Sequence, residues 1–341
     1  MASGLRCFLP LALALITAPL AACAARHAPP LVLESQGTFF IGGREIQSDT
    51  LGEIKPFPAS GHVVVDQMYV RYQIPARHNR LPMVLVHGCC LTGASWETTP
   101  DGRMGWDEWF VRHGHPVYVI DQAWRGRSAL DVSVINAVRE GKQPASALPV
   151  ATAASKETAW QIFRFGARYP EVYPGLQFPI EAQGVLWQQM VPVFARTPDE
   201  QSPTIPALAM LARKLKRVVL ISHSQSGIYP FEAASREPAS VAGIVAIEPA
   251  ACPGQEKDLA VFRTIPVLIL FGDFVAQSPR WAPRLEACRR FVERARSLDI
   301  DAELVELPKI GIHGNSHMMM QDRNSAQVAT IVDHWLRQRH R

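Results

Sequence analysis

The spacing of apolar positions changes character along the chain. Gly37 to Ile46 and Val63 to Ile74 read as strands. In the second, Met68, Val70, Tyr72 and Ile74 alternate with polar residues, the period-two signature of a strand with one wet face. Beyond them the pattern becomes short, continuous apolar runs: Met83–Val86, Val117–Ile120, Val218–Ile221, Gly243–Ile247, Val267–Phe271 and Glu303–Leu307. Uninterrupted Val/Ile/Leu runs suit strands covered by helices on both faces. An antiparallel start followed by alternating β and α segments predicts an α/β fold with a mostly parallel, helix-covered central sheet. Near the C-terminus, Val328, Ile331, Val332, Trp335 and Leu336 fall on one helical face, which predicts a final helix packed on the core.

The interval from Ser128 to Arg217 is too long for a simple crossover and too apolar for an unstructured loop. Its aromatic residues, Trp160, Phe163, Phe165, Phe178 and Trp187 with Phe194, predict a helical cap inserted at about 130–215, packed around its own core. A single domain that includes this insertion is expected over 37–341.

The first 24 residues read as an export signal. Arg6 precedes an apolar stretch from Phe8 to Ala22 that is broken by Pro10 and Pro19 and too short to span a membrane. Leu20-Ala21-Ala22-Cys23 resembles a lipobox, in which Cys23 carries a lipid anchor on an outer-membrane lipoprotein. Ordinary cleavage among the same small residues releases a soluble periplasmic protein, the reading narrowly favoured because four residues in an alanine-rich stretch carry little specificity. No later stretch is apolar for long enough to cross a membrane. A net charge of +4 without a run of like charges argues against a nucleic-acid partner.

Candidate chemistry begins at VVLISHSQSG. Ser224 follows a buried run directly, and a nucleophile elbow needs small residues two before and two after its serine; Ser222 and Ser226 satisfy this. Neither neighbouring serine passes the same test, because Leu220 and Ile228 would flank them. Pro230 falls within the helix expected from about Gln225, so that helix should be kinked or irregular. A serine hydroxyl needs an imidazole to take its proton, and the chain order in this fold is Ser, acid, His. His313 and His317 share the loop after the last strand; His317, immediately before the final helical region, is the chosen base and His313 the alternative. Two acids end suitable strands, Glu248 in VAIEPA and Asp273 in LILFGD, and spacing does not separate them.

An oxyanion hole in this fold uses the amide after the nucleophile, here Gln225, and one after an early strand, here Cys89 in VLVHGCC. In an oxidising compartment Cys89 and Cys90 are expected to form a strained vicinal disulfide that locks this loop, which leaves Cys252 and Cys288 to pair with each other. No cysteine spacing resembles a zinc site, and the chemistry calls for no metal or organic cofactor.

Longer strings are more specific than any of these motifs. DQMYVRYQIP, HGCCLTG, WETTPDGRMGWDE, INAV, LWQQMVP, SHSQSGIYP, RWAPRL and HGNSHMMMQDRN, with the RGRSA of DQAWRGRSA, make the chain similar, from about Gly37 onward, to a family of bacterial α/β-hydrolase esterases. That family is typified by an esterase from Alcaligenes with a vicinal disulfide at its oxyanion hole. The resemblance implies Ser224 as nucleophile, His317 as base, Glu248 as acid, a Cys89–Cys90 disulfide and oxyanion amides from Cys89 and Gln225. It implies hydrolysis of small-molecule carboxylic esters through an acyl-enzyme. The alternatives are an amidase or lactone hydrolase with the same triad, or a non-catalytic ligand-binding protein on the same scaffold.

Overall fold

The computed structural model describes residues 1, 29–195, 202–255 and 258–340. The expected export signal, with Cys23, lies outside the described residues apart from Met1. By internal contacts the chain divides into Met1–Leu31 and Val32–Arg341, and every element below belongs to the second unit.

In chain order the elements are β1 (Leu33–Ser48), β2 (Gly61–Pro75), β3 (Met83–Val86), α1 (Trp106–Arg112), β4 (Val117–Asp121) and α2 (Ser133–Arg139). There follow β5 (Val150–Thr152), α3 (Lys156–Ile162), α4 (Gln183–Gln189), β6 (Val193–Ala195) and α5 (Thr204–Leu215). The remainder are β7 (Val218–His223), α6 (Tyr229–Arg236), β8 (Val241–Ile247), β9 (Val267–Phe271), α7 (Ala282–Ser297), β10 (Ala302–Glu306) and α8 (Ser325–Arg339). An eight-stranded sheet runs β1-β2-β4-β3-β7-β8-β9-β10. Its β1–β2 and β2–β4 pairs are antiparallel and all others parallel.

Each predicted strand is present to within a few residues at its ends. The continuous apolar runs are the reason: β3, β7, β8 and β9 are buried at every position, with helices on both faces. The antiparallel edge departs from the simple alternation. On β2, Tyr69 and Gln73 are buried although they were expected on the wet face, and Asp66 is buried as well. Asp66 accepts from Trp124 Nε1 at 2.9 Å and Arg44 Nε at 2.8 Å, and the Arg127 guanidinium lies 4.0 Å over the Tyr69 ring. Polar partners cover this face in place of water.

Among the described residues, the segment between β4 and β7 contains four α-helices, α2 to α5, and a small antiparallel β5–β6 pair. Trp160, Phe165 and Phe178 are buried here; the Phe165 and Phe178 rings stack at 4.2 Å, and Trp187 packs on Trp160 at 6.4 Å. Its end belongs elsewhere. Ile205, Leu208 and Leu211 of α5 lie in the same core cluster as β7, α6 and β8, so sheet-covering structure resumes at Thr204.

Three strand ends converge in space. β3, β7 and β8 are adjacent and parallel, so the loops after all three emerge at one edge of the sheet. In open α/β sheets, that carboxyl edge is where ligands bind.

Cys252 and Cys288 are joined as expected, 36 residues apart, tying the segment after β8 to α7. Closing a loop of this length removes chain entropy from the unfolded state worth about 4 kcal/mol. The Cys252→Ser/Cys288→Ser double variant should therefore lose stability on that scale, read as a fall in the urea midpoint.

Candidate active site

Ser224 sits where β7 ends and a 3-10 turn (Ser224–Ile228) begins, with φ of 59°. A non-glycine residue in the left-handed region is strained, and such strain gathers at functional sites. Cys90, Arg164 and Glu248 share it, with φ of 60°, 55° and 44°. The helix expected from Gln225 is delayed. α6 starts only at Tyr229, which places Pro230 in its first turn, where no amide hydrogen is needed.

The turn is packed from two sides. A Cβ added to Gly88, in the loop after β3, would lie 2.9 Å from the Ser224 Cβ and 2.8 Å from His223 Nδ1, so only glycine lets that loop approach the serine. The Ala250 amide donates to the Ser224 carbonyl at 2.8 Å and fixes the segment after β8.

Glu248 and His317 are both fully buried, and His317 Nδ1 lies 2.6 Å from Glu248 Oε2. Glu248 also accepts from the Gly272 amide at 2.6 Å and from both terminal nitrogens of Arg164, itself buried. Burial alone would raise the Glu248 pKa, but the Arg164 charge and the His317 bond outweigh it and hold the carboxyl at about 2. Burial lowers His317 to about 4 against the pull of Glu248, so the ring is neutral near pH 7 with its Nδ1 proton directed at the carboxylate. His317 Nε2 is buried without a hydrogen-bond partner. The ring is fixed from several directions: Trp281 packs on it at 4.1 Å, the Phe163 carbonyl accepts its amide at 2.9 Å, and His223 Nε2 donates to its carbonyl at 2.9 Å. Its loop hangs on buried Asp322, which accepts from the Ser316 amide at 2.8 Å and from the Ser316 hydroxyl at 2.7 Å.

The two alternatives stand apart from this cluster. Asp273 accepts from the Phe274 amide at 2.8 Å and the Gly314 amide at 2.9 Å, which makes it a loop-organising carboxylate. His313 is 68% exposed, with its Nδ1 3.6 Å from Asp273.

The Cys89 and Cys90 Sγ atoms lie 2.7 Å apart, well inside van der Waals contact, and the vicinal disulfide between them stays a proposal. Adjacent Cα atoms about 3.8 Å apart are closer than an unstrained disulfide allows, and joining the sulfurs needs a further approach within an eight-membered ring.

Two functional arginines escaped the sequence reading. Arg125, buried in the loop after β4, donates to the Gly88 carbonyl at 3.1 Å and to Gln225 Oε1 at 2.9 Å. It thereby ties together the two segments whose amides were expected to form the oxyanion hole. Arg164 follows α3 in the insertion and also donates from Nε to the Asp273 carbonyl at 2.9 Å. A lone arginine inside the aromatic run WQIFRFG was the available signal, since a cation among aromatics is retained only with a partner.

No protein-family profile matches the chain. A bacterial esterase of known structure is 54% identical and superposes with a TM-score of 0.90, over 92% of this chain and 98% of its own. The chain belongs to this family of bacterial α/β-hydrolase esterases. A more remote relative from Fungal sp. (strain ATCC 74256), named as a probable secreted lipase, phiG, is 26% identical over 316 residues, which is 79% of this chain and 85% of its own. In this chain the Arg164–Glu248 ion pair ties the insertion to the end of β8.

Removing one partner of a buried ion pair strands the other charge, at a cost of about 3–5 kcal/mol. Arg164→Met should lower thermal stability by that order and reduce kcat more than it changes KM, read by calorimetry and steady-state kinetics.

Proposed function

We propose that the chain hydrolyses small-molecule carboxylic esters through an acyl-enzyme on Ser224, with His317 as general base and Glu248 as its orienting acid. The observation that carries this reading is a neutral, immobilised imidazole. Its Nδ1 is engaged by an ionised carboxylate and its buried Nε2 is left without a partner, while Ser224 is held separately at a strained strand end. The Ser224 Oγ attacks the ester carbonyl carbon while its proton passes to His317 Nε2. The amides of Cys89 and Gln225 hold the oxyanion, steadied by Arg125. His317 then gives its proton to the departing alcohol. Water, deprotonated by the same nitrogen, attacks the acyl group and releases the acid and free Ser224. Glu248 stays ionised throughout and offsets the charge on the imidazolium.

The reading includes export. The apolar leader after Arg6 supports it, as does a remote relative described as secreted. Release into the periplasm is the finer proposal, with lipid attachment at Cys23 as its rival. Among the described residues, no helix is long and apolar enough to cross a membrane.

Ser224→Ala should reduce ester turnover by several orders of magnitude without loss of fold. Wild-type-like hydrolysis by that variant would refute the assignment.

The pH profile follows from the histidine. Protonated His317 cannot accept the serine proton, so activity falls as pH drops through its pKa. Burial places that point at about 4, against an ordinary 6.5. The acid limb of kcat/KM should lie near pH 4; an acid limb at 6.5 or above would contradict the neutral, buried base.

A further inference from the structure

The segment leading from β9 into α7 brings two guanidinium groups to the edge of this centre with no carboxylate to neutralise them. Arg280 is exposed and, among the described residues, makes no ion pair. Arg284 is half-buried; it donates to the Arg280 carbonyl, and its Nε is buried without a partner. Their guanidinium carbons lie 5.8 and 5.4 Å from the centre of the Trp281 ring, the ring that packs on His317. Arg164 is a third cation at 5.9 Å, but each of its three nitrogens already donates, to Glu248 or to the Asp273 carbonyl, and its charge is paired with Glu248.

Attraction to one indole face explains the position of a single arginine. It does not explain two neighbouring cations that repel each other, one of them with a desolvated and unused donor. Burial, and then the neighbouring Arg280 charge, lowers the Arg284 pKa. The Arg280 charge is the least of the causes that lower the Cys89 and His317 pKa values. Arg280 lines a groove of ≈ 370 Å³ between the insertion and the β9–α7 segment, with Gln161, Arg164 and Gln277 among its other walls.

We propose that Arg280 and Arg284 form a subsite for a carboxylate carried by the ester substrate, so that the preferred substrates are half-esters of dicarboxylic acids. This rests on the ester-hydrolase reading above. A carboxylate in reach of both guanidinium groups supplies the missing negative charge and an acceptor for the unused N–H groups. Binding energy gained at this remote group positions the scissile carbonyl.

The test compares monomethyl glutarate with methyl valerate, esters with the same acyl chain length that differ in one terminal carboxylate, by pH-stat near pH 7. In the wild type, kcat/KM should favour the half-ester, and 0.5 M NaCl should weaken the preference. Arg280→Gln and Arg284→Gln should each lower the half-ester to neutral-ester ratio about tenfold, and Arg280→Lys should keep most of it. The ratio cancels any effect of the substitutions on steps common to both substrates. A wild-type preference for methyl valerate, or a ratio unchanged in both glutamine variants, overturns the subsite while leaving the hydrolase intact. Inhibition by free succinate without a half-ester preference overturns the assignment to substrate. If neither ester is hydrolysed and a fluorophosphonate leaves Ser224 unlabelled, the hydrolase reading and the subsite fall together.

Discussion

A buried carboxylate is the constraint around which this molecule is arranged. Glu248 is completely removed from water, and an ionised carboxyl in that position is untenable without donors on every side. Four N–H groups meet it: two from Arg164, one from the Gly272 amide and one from His317. Together they come from three different parts of the chain, so one charge draws together the insertion, the end of β9 and the loop before α8. A Cβ on Gly272 would stand 3.0 Å from Glu248 Oε1 and 2.8 Å from the Asn315 carbonyl, so the residue after β9 also has to lack a side chain.

The same arrangement separates the two carboxylates that end neighbouring strands. Asp273 lies one strand further out, and its oxygens are satisfied by local amides, so it stabilises a loop. Glu248 has the longer side chain and a backbone bent into the left-handed region, and it reaches inward to the imidazole. Strand order alone does not select between them.

The sheet was legible in the sequence because its strands are buried on both faces, and short, continuous Val/Ile/Leu runs are the direct chemical imprint of that burial. Ser224 was legible for a related reason: an elbow tolerates only small neighbours, and the flanking serines show that restriction directly. The residues missed were those whose role depends on contacts distant in sequence. Arg164 lies 84 positions from Glu248, and Arg125 lies 100 from Gln225. No local pattern records such pairings. The vicinal cysteines are the opposite case: their adjacency is obvious in the sequence, and the loop brings their sulfurs to 2.7 Å. On β2, alternation read as one wet face conceals a layer of paired polar groups, because periodicity reports side-chain direction and not what lies opposite.

That an arginine from the inserted segment neutralises the acid beside the imidazole restricts how this lineage can change. Many enzymes acquire new substrates by exchanging whole surface modules while a self-sufficient chemical core persists underneath. Here, losing the module would also strip the counter-charge from the core. Diversification would then proceed by point changes along the groove walls, with the segment bearing Arg164 inherited intact.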